Sequence, residues 1–565
     1  MAAVRRISRR VFVHGVGGGA LMLAAGARPA PGYEASHPAV LRGPQFDLEI
    51  GSMAVNFTGR PRVATAVNGQ VPAPLLRWRE GDLVRVRVRN HLRARTSIHW
   101  HGLLLPASMD GVPGLSFDGI DAGATFNYEF RAQQSGTYWY HSHSRFQEQT
   151  GLYGAIVIEP AGGERHEVVR DYVVLLSDWT DEDPEHIYAT LKRDSEYFNF
   201  GQRTVGDLFS DARALGWRAA LAQRRIWGQM RMDPTDLADV SGHAYTYLMN
   251  GSTPAGNWTG EFQRGERIKL RFINGSSMSF FDVRIPGLAL TVVAADGQDV
   301  APVSVEEFRI GAGEVYDVLV EPAEEVPYTI FAQSMDGSGY ARGTLAPRAG
   351  MRAPVPPLDP RPQLSMADMG MSVDMAGMPQ MARAAQPPHE RNAGVDMRVS
   401  APDDSLADPG VGLRGNGRRV LTYADLHTLG GALDARAPQR EIELHLTGHM
   451  QRYIWSFDGR KFSEAPPIEF KHGERLRLVL VNDSMMTHPI HLHGMWSEIE
   501  SAAGEFQVRK HTVVVRPAQI LRYCVSAMAP GRWAFHCHLL YHMEAGMFRE
   551  VTVVSADAVA RAARS

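Results

Sequence analysis

The stretch Gly81-Asp-Leu-Val-Arg-Val-Arg-Val-Arg-Asn90 alternates apolar and charged residues between a turn glycine and an asparagine. This period of two describes a strand with one face on a core and the other in water. The frame returns as Gly265-Glu-Arg-Ile-Lys-Leu-Arg-Phe-Ile-Asn274 and Gly473-Glu-Arg-Leu-Arg-Leu-Val-Leu-Val-Asn482. Upstream of each copy stands a turn dipeptide: Asn68-Gly69, Asn250-Gly251 and Asp458-Gly459. Three β-sandwich domains in tandem are the simplest account, which makes the fold all-β.

Two segments depart from the frame. Residues 203–231 read as a helical insertion in domain 2, and residues 348–415, rich in Pro, Ala, Asp and Met, read as a long linker. The domains then fall at 45–162, 165–347 and 418–556. Ahead of them, Arg9-Arg10-Val11-Phe12, an apolar glycine-rich run to Ala25 and small residues to Ala27 resemble a twin-arginine secretory signal within residues 1–30. Export to a bacterial periplasm with cleavage near Ala27 is expected, and no mature membrane span. The net charge of −3 gives no electrostatic case for nucleic acid.

Chemistry concentrates near the C-terminus, in His536-Cys-His-Leu-Leu-Tyr-His542-Met-Glu-Ala-Gly-Met547. Cys537, His542 and Met547 supply most of the ligands of a mononuclear electron-transfer copper. His536 and His538 flank the thiolate on the opposite strand face, so a second site can lie one residue away. Three further clusters stand upstream: His99-Trp-His101-Gly, His141-Ser-His143 and His488-Pro-Ile-His491-Leu-His493-Gly. Each His-x-His pair aims two imidazoles to one side of a strand. Zinc is the rival metal, but it needs four closed ligands or three plus water, and twelve soft and borderline ligands exceed that. Copper suits the mixture of imidazole, thiolate and thioether and can also move electrons.

The repeat indicates where the metals go. Aligning domains 1 and 3 puts Thr96 on His488, Ser142 on Cys537, Gln147 on His542 and Leu152 on Met547. Only domain 3 therefore carries the mononuclear set, while eight histidines shared by domains 1 and 3 would bind a cluster between them. Domain 2 has no matching ligands and reads as a spacer and wall. The second cysteine, Cys524, reads as a small apolar residue in a strand core.

In their order and spacing the four clusters resemble the signature of multicopper oxidases. The signal, the Met-rich segment and the C-terminal motif are most similar to the periplasmic copper resistance protein A subfamily. That resemblance implies three cupredoxin-like domains and four copper ions. It implies type 1 copper on His488, Cys537, His542 and axial Met547, and type 2 copper on His99 and His491. The type 3 pair falls to His101, His141, His143, His493, His536 and His538. It further implies four one-electron oxidations at the type 1 site, transfer through Cys537, and reduction of O2 to water at the cluster. Asp110 matches an acidic residue that family members place near the cluster, with a proton-delivery role; locally it also reads as a turn aspartate before glycine. Where many relatives carry a glutamate after His-Cys-His, this chain has Leu540.

Met366, Met369, Met371, Met375, Met378 and Met381, with Met397 beyond, form a soft set suited to Cu(I). Met485, Met486 and Met543 flank type 1 ligands and offer an electron-input site. Three functions are open on sequence grounds: a cuprous oxidase, a laccase-like oxidase of phenols or aromatic amines, and a copper-sequestering protein. The partners expected are O2, Cu(I) or a small aromatic reductant, and periplasmic copper-handling proteins.

Overall fold

The computed structural model describes residues 38–370 and 394–554, so the expected signal segment lies outside the described residues. Each repeat frame is a strand: Leu83–Asn90, Ile268–Asn274 and Arg475–Asn482. Each pairs in parallel with a strand at the start of its domain, Gln45–Val55, Arg170–Thr180 or Arg440–His449. Each also pairs antiparallel with a later one, Thr125–Arg131, Val315–Val320 or Ile520–Ser526. A second, five-stranded sheet completes every sandwich, facing a sheet of four strands in domain 1 and six in domains 2 and 3. The architecture is three tandem cupredoxin-like β-sandwiches.

Alternation survives only where one face meets water. Leu83–Asn90 is buried at every second residue, whereas Ile268–Asn274 is buried throughout. Arg271 lies on the face the pattern assigns to solvent. It is instead enclosed at the domain 1 boundary and held by Asp171 at 2.6 Å and Asp317 at 3.0 Å. One core lies within domain 1, a second fills the seam between domains 1 and 2 around Trp139 and Trp179, and the largest runs through domains 2 and 3.

The recurring polar residues staple the frame. Asn68, Asn250 and Asp458 sit at φ of 51°, 49° and 53°, the left-handed geometry of tight hairpin turns. Their side-chain oxygens accept the backbone N–H of Glu49, Leu175 and His445, tying each turn to the neighbouring strand. The terminal asparagines work alike. Asn90 donates to the carbonyls of Ala94 and Ile120, Asn274 to Ser279 and Ile310, and Asn482 to Met486 and Val515. Each also accepts the N–H two residues on, fixing the loop that precedes the next strand. In domains 1 and 3 that strand carries clustered histidines, His99 and His101 in one and His488 and His491 in the other.

The helical insertion forms Val205–Leu215, opened by a Thr204–Asp207 capping box, and Trp217–Met230. A third helix, Pro184–Arg193, was not anticipated from the sequence, although Asp183-Pro184 is a helix-start signal. The expected linker behaves differently from a tether in its described parts. Asp359 takes Arg284 and Arg418, Asp408 takes Arg414 and Arg516, and Asp403 donates its N–H to Ala518. Apart from Asp408–Arg414, which lies within the segment, these pairs are long-range and strap 348–370 and 394–415 across domains 2 and 3 without strand or helix.

Candidate metal centres

Strand Gly531–Cys537 and strand His488–Leu492 are adjacent, with Ile490 opposite Cys537 and His491 opposite His536. Alternation then sends Cys537 to one face and His536 to the other. On the first face, Nδ1 of His488 lies 3.5 Å from Cys537 Sγ, Nδ1 of His542 lies 3.8 Å from it, and the two nitrogens are 3.2 Å apart. The centre of that triangle is about 2 Å from each atom, the length of a first-row metal–nitrogen bond. Met547, fully buried, is tied in by its carbonyl to the Cys537 N–H at 3.1 Å.

The outer nitrogens are occupied. His488 Nε2 meets Ser484 Oγ at 2.7 Å, and His542 Nε2 donates to Asp239 Oδ2 at 2.6 Å, so Nδ1 of each is left for a metal. Asp239 also accepts Tyr453 OH at 2.8 Å, and Trp455 stacks on His542 at 4.0 Å. Burial pushes the Cys537 thiol up and His488 down. A neutral imidazole is ready to ligate, whereas the thiolate needs a cation to compensate its charge.

Domain 1 builds the same place without metal chemistry. Thr96 Oγ1 and Ser142 Oγ both donate to Gln147 Oε1, at 2.6 and 3.0 Å, and Leu152 is buried. Three of the four aligned positions thus converge in both domains, as a hydrogen-bonded plug in one and a Cys-His-His triangle in the other.

Between the two domains the other eight histidines converge. His99 and His141 pair across strands His99–His101 and Gly136–His141. Two three-imidazole groups draw on both domains: His101, His141 and His538, and His143, His493 and His536. His99 and His491 stand beside them, 5.8 Å apart between ring centroids. One nitrogen of most rings is anchored. His99 Nδ1 donates to Asp110 O at 2.8 Å, His493 Nδ1 to Asp110 Oδ2 at 2.9 Å, and His491 Nδ1 to His511 O at 2.6 Å. His141 Nδ1 donates to Glu148 Oε2 at 2.6 Å and His536 Nδ1 to Cys537 O at 2.9 Å. Buried Nε2 atoms of His99, His141, His143, His491 and His538, and Nδ1 of His101, are left with no hydrogen-bond partner. Orphaned buried nitrogens in this number are the mark of metal ligands, since each would otherwise carry an unrepaid desolvation cost. Desolvation, aided by neighbouring imidazoles, holds His101, His141, His143, His491, His493 and His538 well below the ordinary histidine range. All are then in the neutral, ligating form.

Asp110 is buried and bridges His99 of domain 1 to His493 of domain 3 through its carbonyl and carboxylate. Leu540 N donates to Ser277 O, and the side chain, buried, brings no acid to the cluster. Cys524 is buried, but its thiol faces a carboxylate, donating to Glu500 Oε1 at 3.3 Å beside Arg477. The pure apolar environment expected for it is therefore corrected. Met366 and Met369 are packed in the core of domains 2 and 3, not in a loose copper-gathering chain, and Met397 packs against the same core. Met371, Met375, Met378 and Met381 lie outside the described residues. Met485 and Met486 are buried and Met543 is half-buried. Ser484, Asp239, Glu148 and His511 were missed: none stands at a recognisable spacing from the ligand it orients, except Ser484, four residues before His488.

Sequence profiles of multicopper oxidase domains match residues 49–163, 170–349 and 435–557. The chain is 53% identical to copper resistance protein A of Pseudomonas syringae pv. tomato, over 97% of this chain and 99% of that protein. It is 54% identical to copper resistance protein A of Escherichia coli over 91% and 93%. The crystal structure of Fet3p, a multicopper oxidase that functions in iron import, superposes with a TM-score of 0.65 at 19% identity, covering 91% of each chain. With the ligand triangle, the imidazole cluster and these three matched domains in agreement, the chain belongs to the multicopper oxidase family and is an enzyme of that class, closely related to copper resistance protein A.

Proposed function

We propose that this enzyme oxidises Cu(I) to Cu(II) in the periplasm as part of copper resistance, coupled to reduction of O2 to water. The proposal assigns type 1 copper to His488, Cys537, His542 and Met547, type 2 to His99 and His491, and the type 3 pair to the two three-imidazole groups. Bound copper would supply one-electron chemistry at the first site and dioxygen reduction at the cluster: four Cu(I), O2 and four protons give four Cu(II) and two waters. Cys537 is joined through its own peptide bonds to His536 and His538, which provides a covalent route between the sites. Asp110 orients His99 and His493, and its Oδ1, short of a hydrogen-bond partner, is the atom we assign to proton delivery.

The observation favouring Cu(I) over an aromatic reductant is the closure of the type 1 ligands. His488 and His542 are fully buried, and the outer edge of His542 is capped by the Asp239 carboxylate under Trp455 and Tyr453. A phenol cannot stack on either ring, whereas oxidation of a metal ion needs no aromatic stacking surface, and the buried Asp239 carboxylate favours positive charge nearby. Identity of 53–54%, spanning nearly the whole chain, to proteins named for copper resistance points the same way. No helix among the described residues is long and apolar enough to cross a membrane.

Oxygen uptake by the copper-loaded enzyme, with buffered Cu(I) as reductant and a simple phenol in parallel, tests this. Fast uptake at four Cu(I) per O2 is expected. Uptake with the phenol alone would make the enzyme laccase-like, and none with either would leave copper sequestration. Deleting residues 371–393 is expected to raise the Cu(I) concentration needed for half-maximal uptake, if the methionines there collect the substrate.

A further inference from the structure

We infer that Asp296, in a domain without copper ligands, is a positioning residue for the imidazole cluster, acting through Lys510, His511 and Thr512. The inference rests on the copper reading of the cluster above. Asp296 occupies the turn between strands Leu290–Ala295 and Gln298–Val305. That turn is wedged between the other two domains. On the domain 1 side the Gly297 backbone presses on Gly136, where an added Cβ would lie 2.3 Å from Gly297 O.

On the domain 3 side one carboxylate oxygen grips a strand. Asp296 Oδ2 accepts the backbone N–H groups of His511 and Thr512, each at 3.1 Å, and lies 3.1 Å from Lys510 Nζ. The other oxygen accepts Val315 N–H at 2.9 Å, which locks the carboxylate to its own domain. Lys510 Nζ is also 3.0 Å from Glu314 Oε1, so one buried ammonium bridges two buried carboxyl groups of domain 2. Asp296, Lys510, His511, Thr512 and Glu314 are at most 2% exposed, which leaves no water to replace any of these partners.

The gripped residues orient ligands from two domains. His511 O takes the Nδ1–H of His491, turning its Nε2 to the cluster. His511 Nδ1 and Thr512 Oγ1 lie 3.2 and 3.0 Å from His101 Nε2, turning its Nδ1 inward. The His511 ring fills the space beside Gly102, where an added Cβ would lie 2.3 Å from its Cδ2. The glycine of His-Trp-His-Gly is thus required by a histidine of domain 3. A shift at 511 and 512 would move His491 and His101 together; Asp296 touches no type 1 ligand, and the strand's tie to His488 lies three residues on, at Val515.

The test is Asp296→Asn, measured as full-length, copper-loaded protein beside wild type. An amide keeps one acceptor oxygen, so it cannot hold both Val315 and the 510–512 strand. Expected results are an unchanged type 1 absorption band, loss of the type 2 electron paramagnetic signal, a copper content falling from four toward three per chain, and at least tenfold slower oxygen uptake. Hydrogen exchange on copper-free protein gives a metal-independent readout, with amides of 511 and 512 exchanging at least tenfold faster. Wild-type copper content reports separately on the copper reading itself. Should Asp296→Asn fail to accumulate, Thr512→Val removes only the hydroxyl facing His101. It is expected to alter the type 3 absorption, and Thr512→Ser to restore it. Unchanged cluster signals with unchanged exchange in Asp296→Asn, or an unaltered type 3 band in Thr512→Val, would overturn the inference.

Discussion

Replacing Asn482 by alanine isolates what the repeat frame contributes to metal binding. Its side chain donates to Met486 O at 2.7 Å and Val515 O at 3.0 Å and accepts Ser484 N–H at 2.9 Å, all without solvent. Truncation orphans two buried carbonyls and one N–H. At about 1–3 kcal/mol for each unpaired buried group, and with Ser484 Oγ still reaching Met486 O, the cost is about 3–5 kcal/mol. The loop released carries Ser484, the partner of His488 Nε2, so type 1 copper should be lost first. Asn90→Ala and Asn274→Ala remove the same three bonds in the other domains and serve as internal controls. Urea unfolding of the copper-free variants measures the cost, and copper content with the type 1 band measures the functional effect. All three variants should lose comparable stability. Asn482→Ala should lose the type 1 band, Asn90→Ala should lose cluster copper, and Asn274→Ala should keep four coppers. Equal copper loss in all three, or a cost below about 1 kcal/mol, would refute the reasoning.

Two further predictions follow from the sites. Asp239→Asn removes a negative charge about 6 Å from the type 1 position, worth about 3 kcal/mol at an effective dielectric constant of ~20. The type 1 potential should therefore rise by about 130 mV, at ~59 mV per tenfold change, as read by redox titration; no rise would separate Asp239 from the site. In the copper-free protein, burial lowers His511 and His536 to about 4, whereas the unfolded chain takes up those protons near pH ~6.5. The unfolded state then binds more protons between these limits, so stability is full above pH ~6.5 and is lost as pH falls toward 4. Denaturation midpoints that stay flat across that range would contradict the burial of uncharged imidazoles.

The fold and the ligand groups were legible because both repeat locally. A period of two, a turn dipeptide and a terminal asparagine recur within each domain, and His-x-His is a strand-face signal that survives without structure. What orients the ligands was not legible. Asp239 reaches His542 from 303 residues away, and Asp296 reaches His511 from 215 away. Such partners are chosen by domain packing, which leaves no spacing to read. The strap misled for the same reason. Its Pro- and Asp-rich composition has no periodicity, yet arginines far along the chain pin Asp359, Asp408 and Met369's neighbour Asp368 in place.

On the proposed function, Cys537 is the sole electron link between a substrate-oxidising site and an oxygen-reducing cluster. The most direct measurement is oxygen uptake by Cys537→Ser protein with Cu(I) and with a phenol, alongside copper content. Three coppers per chain, no type 1 band and no uptake with either reductant are expected. Uptake at a tenth of the wild-type rate or more would show that electrons reach the cluster another way.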